Sequence, residues 1–310
     1  MFGKYRRKRE QQRIERIKYN NPQKYVDWLY KHFFGEKMNW KHPQNLNQWI
    51  QWIKFNGDTS QWTKLADKYL VREYLAEQGL ENILVDLYGV WDNPADIDFE
   101  KLPSQFVLKA NHGSGEILIV KDKSQLDSAE VIKKCSDWLA QPYGYDMAEM
   151  HYRDIPRKII AEQLLPADSQ PVGSQSLIDY KVWCVGGEPQ AIFVCSNRRS
   201  GGVIDTALFD TEWNEIDEYL VHDERHPRVG QKMPKPASLD EMLQSARILA
   251  KNHPQVRADF YDVDGKLYFG ELTFTAMGGF LRTYTPEFQS LMGKRITDYM
   301  EQSGALKKKK

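Results

Sequence analysis

VRADFYDVDGKLYFGELTF (residues 256–274) is the stretch on which the fold turns. Asp264-Gly265 is a turn signal between two runs rich in Val, Phe, Tyr and Leu, so the segment reads as a β-hairpin. Both arms carry polar residues inside apolar sequence: Arg257 and Asp259 on one, Glu271 and Thr273 on the other. Which of them share a face depends on the loop. A two-residue loop sets Asp259 and Glu271 on opposite faces, because side chains alternate with period two. A three-residue loop, Val263-Asp264-Gly265 with the glycine left-handed, sets them on one. The longer loop is expected because it separates two chemistries. Arg257, Asp259, Tyr261, Phe269, Glu271 and Thr273 then form one face, and Val256, Ala258, Phe260, Tyr268, Leu272 and Phe274 form a core face. Two carboxylates about 5 Å apart repel unless a cation or a proton joins them. An all-oxygen pair without Cys or His suits Mg²⁺ rather than Zn²⁺. The hairpin alone is equally compatible with a solvated sheet face bearing a surface Arg–Glu pair.

The chain has 310 residues, enough for a sizeable core and more than one lobe. Its 43 basic and 43 acidic residues cancel, so bulk charge predicts no nucleic-acid partner. The charge is uneven, however. Residues 4–18, KYRRKREQQRIERIK, hold eight Lys or Arg against two Glu, and the chain ends in Lys307 to Lys310. Such a run is a solvated tail or helix face, or an attraction to an anionic membrane or polymer. No apolar segment follows the basic start, and none approaches the ~20 residues that span a bilayer. A cytoplasmic protein is expected, at the inner face of the plasma membrane if the basic start is a tether. Cys135, Cys184 and Cys195 have no paired spacing and read as reduced core thiols.

Periodicity predicts helices over 22–34, 43–55, 64–78, 125–140, 238–252 and 286–300. Strands are expected around 103–120, 157–165, 176–197 (a hairpin turned at Gly186-Gly187), 206–213 and the opening hairpin. Hairpins interspersed with helices argue for α+β lobes on antiparallel sheets. The expected divisions are a basic extension (1–20), a helical and small α/β region (21–102), a small lobe (103–165), a large lobe (166–302) and a basic tail (303–310).

Several weak signals recur in order. Lys68 lies in the predicted helix DKYLVREYL. Lys109 ends a strand, and Asn111, His112, Gly113, Ser114 and Gly115 follow as a loop between strands. Glycines let backbone N–H groups approach a phosphate, and lysine supplies a point charge. The loop is no Walker A, lacking GxxxxGK[ST] and a following helix. Glu162 closes a strand, and Gln163, Leu164 and Leu165 offer backbone groups beside it. Asp179 and Lys181 share one face of a strand.

Together, DKYLVREYL, LPSQFVLKANHGSG, IIAEQLL, DYKVWCVGGEPQ and RADFYDVDGKLYFGELTF resemble the ATP-grasp superfamily, and in detail its TupA-like branch, from about Lys64 to Tyr299. The resemblance implies a nucleotide held between two α+β lobes, with a helical N-terminal extension. It implies that Lys68 and Lys109 contact ATP phosphates, that Asn111, His112, Gly113, Ser114 and Gly115 form the flap, and that Glu162, Gln163 and Leu164 form the adenine hinge. Asp179, with Lys181 beside it, matches the position that reaches the ribose. Arg257 matches an arginine that stabilises the tetrahedral adduct, and Asp259 and Glu271 match the Mg²⁺-binding carboxylates. Many members place Asn at the third ligand position, where this chain has Thr273. A hydroxyl ligates more weakly or through water, so the second of two Mg²⁺ ions has the weaker donor. Arg282, beyond TAMGGF, is a candidate carboxylate clamp, since a planar fork matches a carboxylate; Arg198 and Arg199 are further candidates.

The implied activity is ATP-dependent carboxylate–amine ligation through an acyl-phosphate. The branch is associated with bacterial surface polysaccharide, so the implied partners are a uronic-acid glycan and an amine. A sugar or glycan kinase, or a non-catalytic nucleotide-binding component of an assembly complex, would use the same nucleotide elements.

Overall fold

The computed structural model describes residues 2–168 and 170–307, with side chains described from residue 8 to residue 306 apart from residue 169. The terminal Lys308 to Lys310 lie outside them.

The chain opens with a helical hairpin, α1 (Phe2–Asn20) and α2 (Pro22–Phe34). Asn21 separates them and caps α2, its Oδ1 accepting from the Lys24 N–H at 3.0 Å, with Pro22 in the first turn. Gly35, at φ 75°, ends α2 in the left-handed conformation. Tyr25, Val26, Leu29 and Tyr30 are buried against Met38, Ala148 and Phe280, which docks the hairpin on the rest of the molecule. α3 (Leu46–Asn56) follows and packs against the last helix, α9 (Pro286–Gln302).

The helix expected over 64–78 is two helices, α4 (Trp62–Ala66) and α5 (Val71–Glu77), so Lys68 is not helical. Asp67 makes the break. Its buried Oδ1 accepts from the N–H groups of Tyr69 (2.8 Å) and Leu70 (3.3 Å), a local alternative to the helical ladder.

Two antiparallel sheets follow. The four-stranded sheet has the order β1 (Leu87–Trp91), β4 (Ile159–Glu162), β2 (Phe106–Ala110), β3 (Ile117–Val120). Because β1 pairs with β4, this sheet draws in sequence from before residue 103. Helix α6 (Ser128–Ala140) covers its back through Val131, Cys135 and Trp138, and a short α7 (Met150–Arg153) follows. The five-stranded sheet has the order β7 (Val203–Phe209), β6 (Glu188–Arg199), β5 (Asp179–Val185), β8 (Gln255–Val263), β9 (Lys266–Thr273). Helices α8 (Leu239–Ala250) and α9 bury one of its faces in the main core, where Phe260, Leu272 and Phe274 lie. All three cysteines are buried and free.

The β8–β9 hairpin corrects the expected loop. The turn has two residues, Asp264 (φ 53°) and Gly265 (φ 81°), and Val263 pairs with Lys266. The register is rescued by a bulge. Phe260 pairs with Phe269, but Asp259 pairs with Glu271, so Gly270 is the extra residue. The carboxylates therefore share a face, as expected, by a different device. The bulge also exchanges two neighbours: Phe269 lies in the core opposite Phe260, and Tyr268 sits with Tyr261 on the other face. A Cβ on Gly270 would stand 3.0 Å from the Asp259 carbonyl oxygen. Gly270→Val should therefore cost about 1–3 kcal/mol in urea unfolding, as overpacking does; an unchanged midpoint would show that the bulge tolerates a side chain.

Candidate active site

The two sheets meet along a cleft lined by Lys68, Arg72, Lys109 and Glu162 on one side and by Phe269 and Gly270 on the other. Lys68 joins this cleft to Glu271, and opposite Glu271 in the hairpin stands Asp259, 2% exposed. Arg257 grips it with a fork, Nε to Oδ1 and Nη2 to Oδ2, both at 2.7 Å. Lys181, from β5, donates to Oδ2 at 2.5 Å. β5 lies beside β8 with Lys181 opposite Asp259, which is why residues 78 apart in sequence meet. Lys181 also donates to Asp179 Oδ1 at 3.3 Å, and Arg198 donates to Asp179 Oδ2. Burial alone would raise the Asp179 carboxyl, but Lys181 and Arg198 overcome it and hold it below the usual carboxylate range.

Glu271 stands beside this group, half-buried. Its Oε1 accepts from the Thr273 hydroxyl at 3.3 Å, and the same hydroxyl accepts from Arg257 Nη2 at 3.3 Å. Lys68 Nζ lies 3.4 Å from Glu271 Oε2. Burial opposes ionisation of Glu271, yet Lys68, Lys181 and Arg257 pull its carboxyl down to about 2.

Lys68 also reaches the glycine loop, donating to the Gly113 carbonyl at 2.6 Å. The loop's base is fixed from within. Asn111 is fully buried; its amide donates to Asp67 Oδ1 and the Pro156 carbonyl, both at 2.9 Å, and its oxygen accepts from the Lys158 N–H at 2.7 Å. Asn111 is thus part of the loop's frame. His112 is buried too, and burial, helped by Arg157 and Lys68, lowers its imidazole to about 4. Beyond them Ser114 and Gly115 are exposed, and Gly115 adopts φ 96°.

At the cleft's other end, Lys109 donates to Glu162 Oε2 at 2.6 Å, and Arg72 lies 3.4 Å from Oε1. The Gln163 N–H is donated to the Asp86 carbonyl at 2.9 Å, while the Leu164 N–H makes no backbone hydrogen bond among the described residues. Register places Val107, Lys109, Ile117 and Ile119 on one sheet face. Ile117 and Ile119 are 46% and 52% exposed, an apolar surface beside the lysine.

The structure thus gathers Lys68, Lys109, Glu162, Asp179, Lys181, Arg257, Asp259, Glu271 and Thr273 about one cleft. Arg282 stands apart from these contacts; it is exposed, its guanidinium 5.6 Å from the Phe33 ring centre. Arg199 pairs with Asp205 instead. Arg72, Asp67 and the 143–152 segment received no role from sequence. Arg72 follows Lys68 by four residues, a visible spacing, but its partner Glu162 is 90 residues away. In the third, burial, then Glu149, Glu271 and Tyr143, push the Tyr152 phenol well up, and Thr275 donates to Glu149 at 2.5 Å.

Chemically, the cleft offers cations and backbone amides for a polyphosphate, with two carboxylates and a hydroxyl for a hard divalent ion. Among the described residues no three His, Cys, Asp or Glu side chains gather as a metal cage. A Mg²⁺ ion takes one or two protein carboxylates and fills its remaining positions with water and phosphate oxygens.

Because the Glu271 carboxyl lies near 2 in the fold against an ordinary 4.5, its ionised form stabilises the protein above about pH 4.5, and that stabilisation is lost as pH falls towards 2. Glu271→Gln should accordingly flatten the fall in melting temperature between pH 5 and 2; an identical fall would contradict the cation cluster around Glu271.

Comparison with known proteins gives this cleft a family. A family model described as TupA-like ATPgrasp matches residues 48–297. Among solved structures, the D-alanine–D-alanine ligase of Bacillus anthracis is 16% identical, with 86% of this chain and 71% of that chain covered and a TM-score of 0.42. The ATP-grasp ligase PsnB complexed with a minimal precursor is 10% identical, with 82% and 68% covered and a TM-score of 0.45. A search of curated proteins gave no match. The family model spans most of the sequence, from α3 to α9, and on that ground the chain belongs to the TupA-like ATP-grasp family.

Proposed function

We propose that the protein is an ATP-dependent carboxylate–amine ligase that joins an amine to the carboxyl of a uronic acid in bacterial surface polysaccharide. The observation that carries the ligase reading is the Arg257–Asp259–Lys181 group beside Glu271, at a cleft that also holds Lys68 and Lys109. Family membership supports ATP as the energy source. The uronic acid and the polysaccharide setting rest on the TupA-like resemblance.

In this reading Lys68, Lys109 and the amides of Gly113 to Gly115 hold the ATP phosphates. The hinge at Glu162 to Leu164 and the apolar face of Ile117 and Ile119 take the base, and Asp179 takes the ribose. Asp259 and Glu271, with Thr273, hold Mg²⁺, which when bound neutralises charge on the phosphates. A substrate carboxylate oxygen attacks the γ-phosphorus, ADP leaves, and an acyl-phosphate results. The amine nitrogen then adds to the acyl carbon, phosphate departs, and the nitrogen loses a proton. Phosphoryl transfer is mostly positioning and charge neutralisation, which this residue set supplies. Arg257 stabilises the oxyanion formed as the amine adds, a contribution of about 3–4 kcal/mol for a well-placed donor. Closure of the exposed Ser114-Gly115 tip excludes water from the acyl-phosphate.

The test is phosphate and ADP release from MgATP with uronic acids, with and without amines. Wild type should require both a carboxylate and an amine. Glu271→Gln should lose turnover at least a hundredfold, and Arg257→Ala should lose about 10²–10³ while still binding ATP. Turnover with glycan alone, giving a stable phosphorylated product, would replace ligation with kinase chemistry.

A further inference from the structure

The helical hairpin α1–α2 lies outside residues 48–297, the part that matches the family model. It differs from that part in charge. Residues 1–42 contain 12 Lys or Arg against 4 Asp or Glu, although the whole chain is balanced at 43 each. Residues 1–42 therefore carry a net charge of about +8, most of it on the hairpin, and the remainder of the chain is negative by as much.

Its position ties it to the cleft. Phe280 packs among the buried α2 residues, and the Phe33 ring lies 5.0 Å from Phe280 and 5.6 Å from the Arg282 guanidinium. Arg282 is two residues from Tyr284, whose hydroxyl accepts from Trp183 Nε1 at 2.8 Å, and the Arg257 guanidinium lies 5.9 Å from the Trp183 ring. A chain of contacts thus runs from Arg257 through Trp183 and Tyr284 to the segment under α2.

The outer face of α2 has its own pattern. Lys24, Trp28, Lys31 and His32 recur at spacings of three and four, so they share one side of the helix. Lys24, Lys31 and His32 are exposed and Trp28 is half-buried. The Trp28 and His32 rings are nearly parallel, 5.3 Å apart with 7° between their planes. Trp28 also stacks on Tyr25, 5.8 Å away with 8° between their planes, so it props the exposed His32 ring between the two lysines. A flat ring flanked by two cations suits sugars that bear carboxylates.

A membrane surface fits less well. Among the described side chains of α1, Ile14 and Ile17 pack inward with α2 in the shared cluster, and only Tyr19 is an exposed large hydrophobic. Interfacial helices bind by burying an apolar face in the bilayer.

We infer that α1–α2 is a binding element for an anionic glycan chain, with Lys24, Trp28, Lys31 and His32 engaging carboxylate-bearing sugars next to the one that reacts. The acceptor is then polymeric. This rests on the ligase reading above for the identity of the reacting sugar.

The test uses the full chain and oligogalacturonates of one to eight units. Binding should strengthen with length in wild type and weaken with salt. Lys24→Glu/Lys31→Glu should weaken octamer binding at least tenfold and reduce its salt dependence, and Trp28→Ala should weaken it several-fold. Monomer turnover and MgATP affinity should stay unchanged in all variants. The charge-reversal pair lies on the surface, so its fold, checked by thermal melting, should survive even where Trp28→Ala destabilises. Equal octamer affinity in wild type and the double variant would overturn the inference. So would binding to vesicles of anionic lipid that is lost in the double variant while octamer binding persists, which would assign the face to membranes. Amine-dependent turnover of a carboxylate by a protein that binds no oligogalacturonate would end this inference and leave the ligase standing. Absence of any carboxylate-dependent ATP turnover would instead remove the ligase reading.

Discussion

A single buried carboxylate organises the molecule. Asp259 has been taken almost wholly out of water, and an isolated anion there would be untenable. The fork of Arg257 and the ammonium of Lys181 make it tolerable. Such a pair is weak stabilisation by itself, because desolvating the ions costs about as much as their attraction returns. What it fixes is position. Arg257 and Asp259 must share a strand face, Lys181 must lie opposite on β5, and Glu271 must come alongside on β9. The bulge at Gly270 is what a two-residue turn needs to satisfy the last condition while Phe269 remains in the core.

Two further polar nodes hold the surroundings. Asp67 and Asn111 bond to each other and to four backbone groups, joining the α4–α5 break to the foot of the glycine loop. Lys54, buried in α3, donates to Gln51 Oε1, the Met147 carbonyl and the Gly278 carbonyl at 2.7–3.0 Å. It thereby pins the turn that follows β9, in which Met277, Gly278 and Gly279 all have positive φ. Buried networks rigidify what they join, although in the first node Asp67 Oδ2 has no hydrogen-bond partner among the described residues. They leave the Ser114-Gly115 tip as the exposed, glycine-bearing part of the loop.

Much of this was legible in the sequence because alternation and turn chemistry are local. The β5–β6 hairpin turns at Gly186-Gly187 as read, and α2 spans 22–34 as read. The shared face of Asp259 and Glu271 was legible as chemistry, although the loop inferred to produce it was not the one adopted. A lone glycine inside a strand, Gly270, was the available sign of a bulge. The break at Asp67 escaped because the apolar spacing runs through it, and what ends the helix is an acceptor that also serves Asn111, 44 residues away. Arg72 on Glu162 escaped for the same reason. Periodicity reports which side of an element is apolar and says nothing of which distant charge arrives there.

The most direct test of the Asp259-centred site is Mn²⁺ binding followed by electron paramagnetic resonance, with and without a non-hydrolysable ATP analogue, in wild type and Asp259→Asn. With nucleotide, wild type should immobilise Mn²⁺ and folded Asp259→Asn should lose it at least tenfold. Equal Mn²⁺ binding by the two proteins in the presence of nucleotide would contradict Asp259 as the centre of the site.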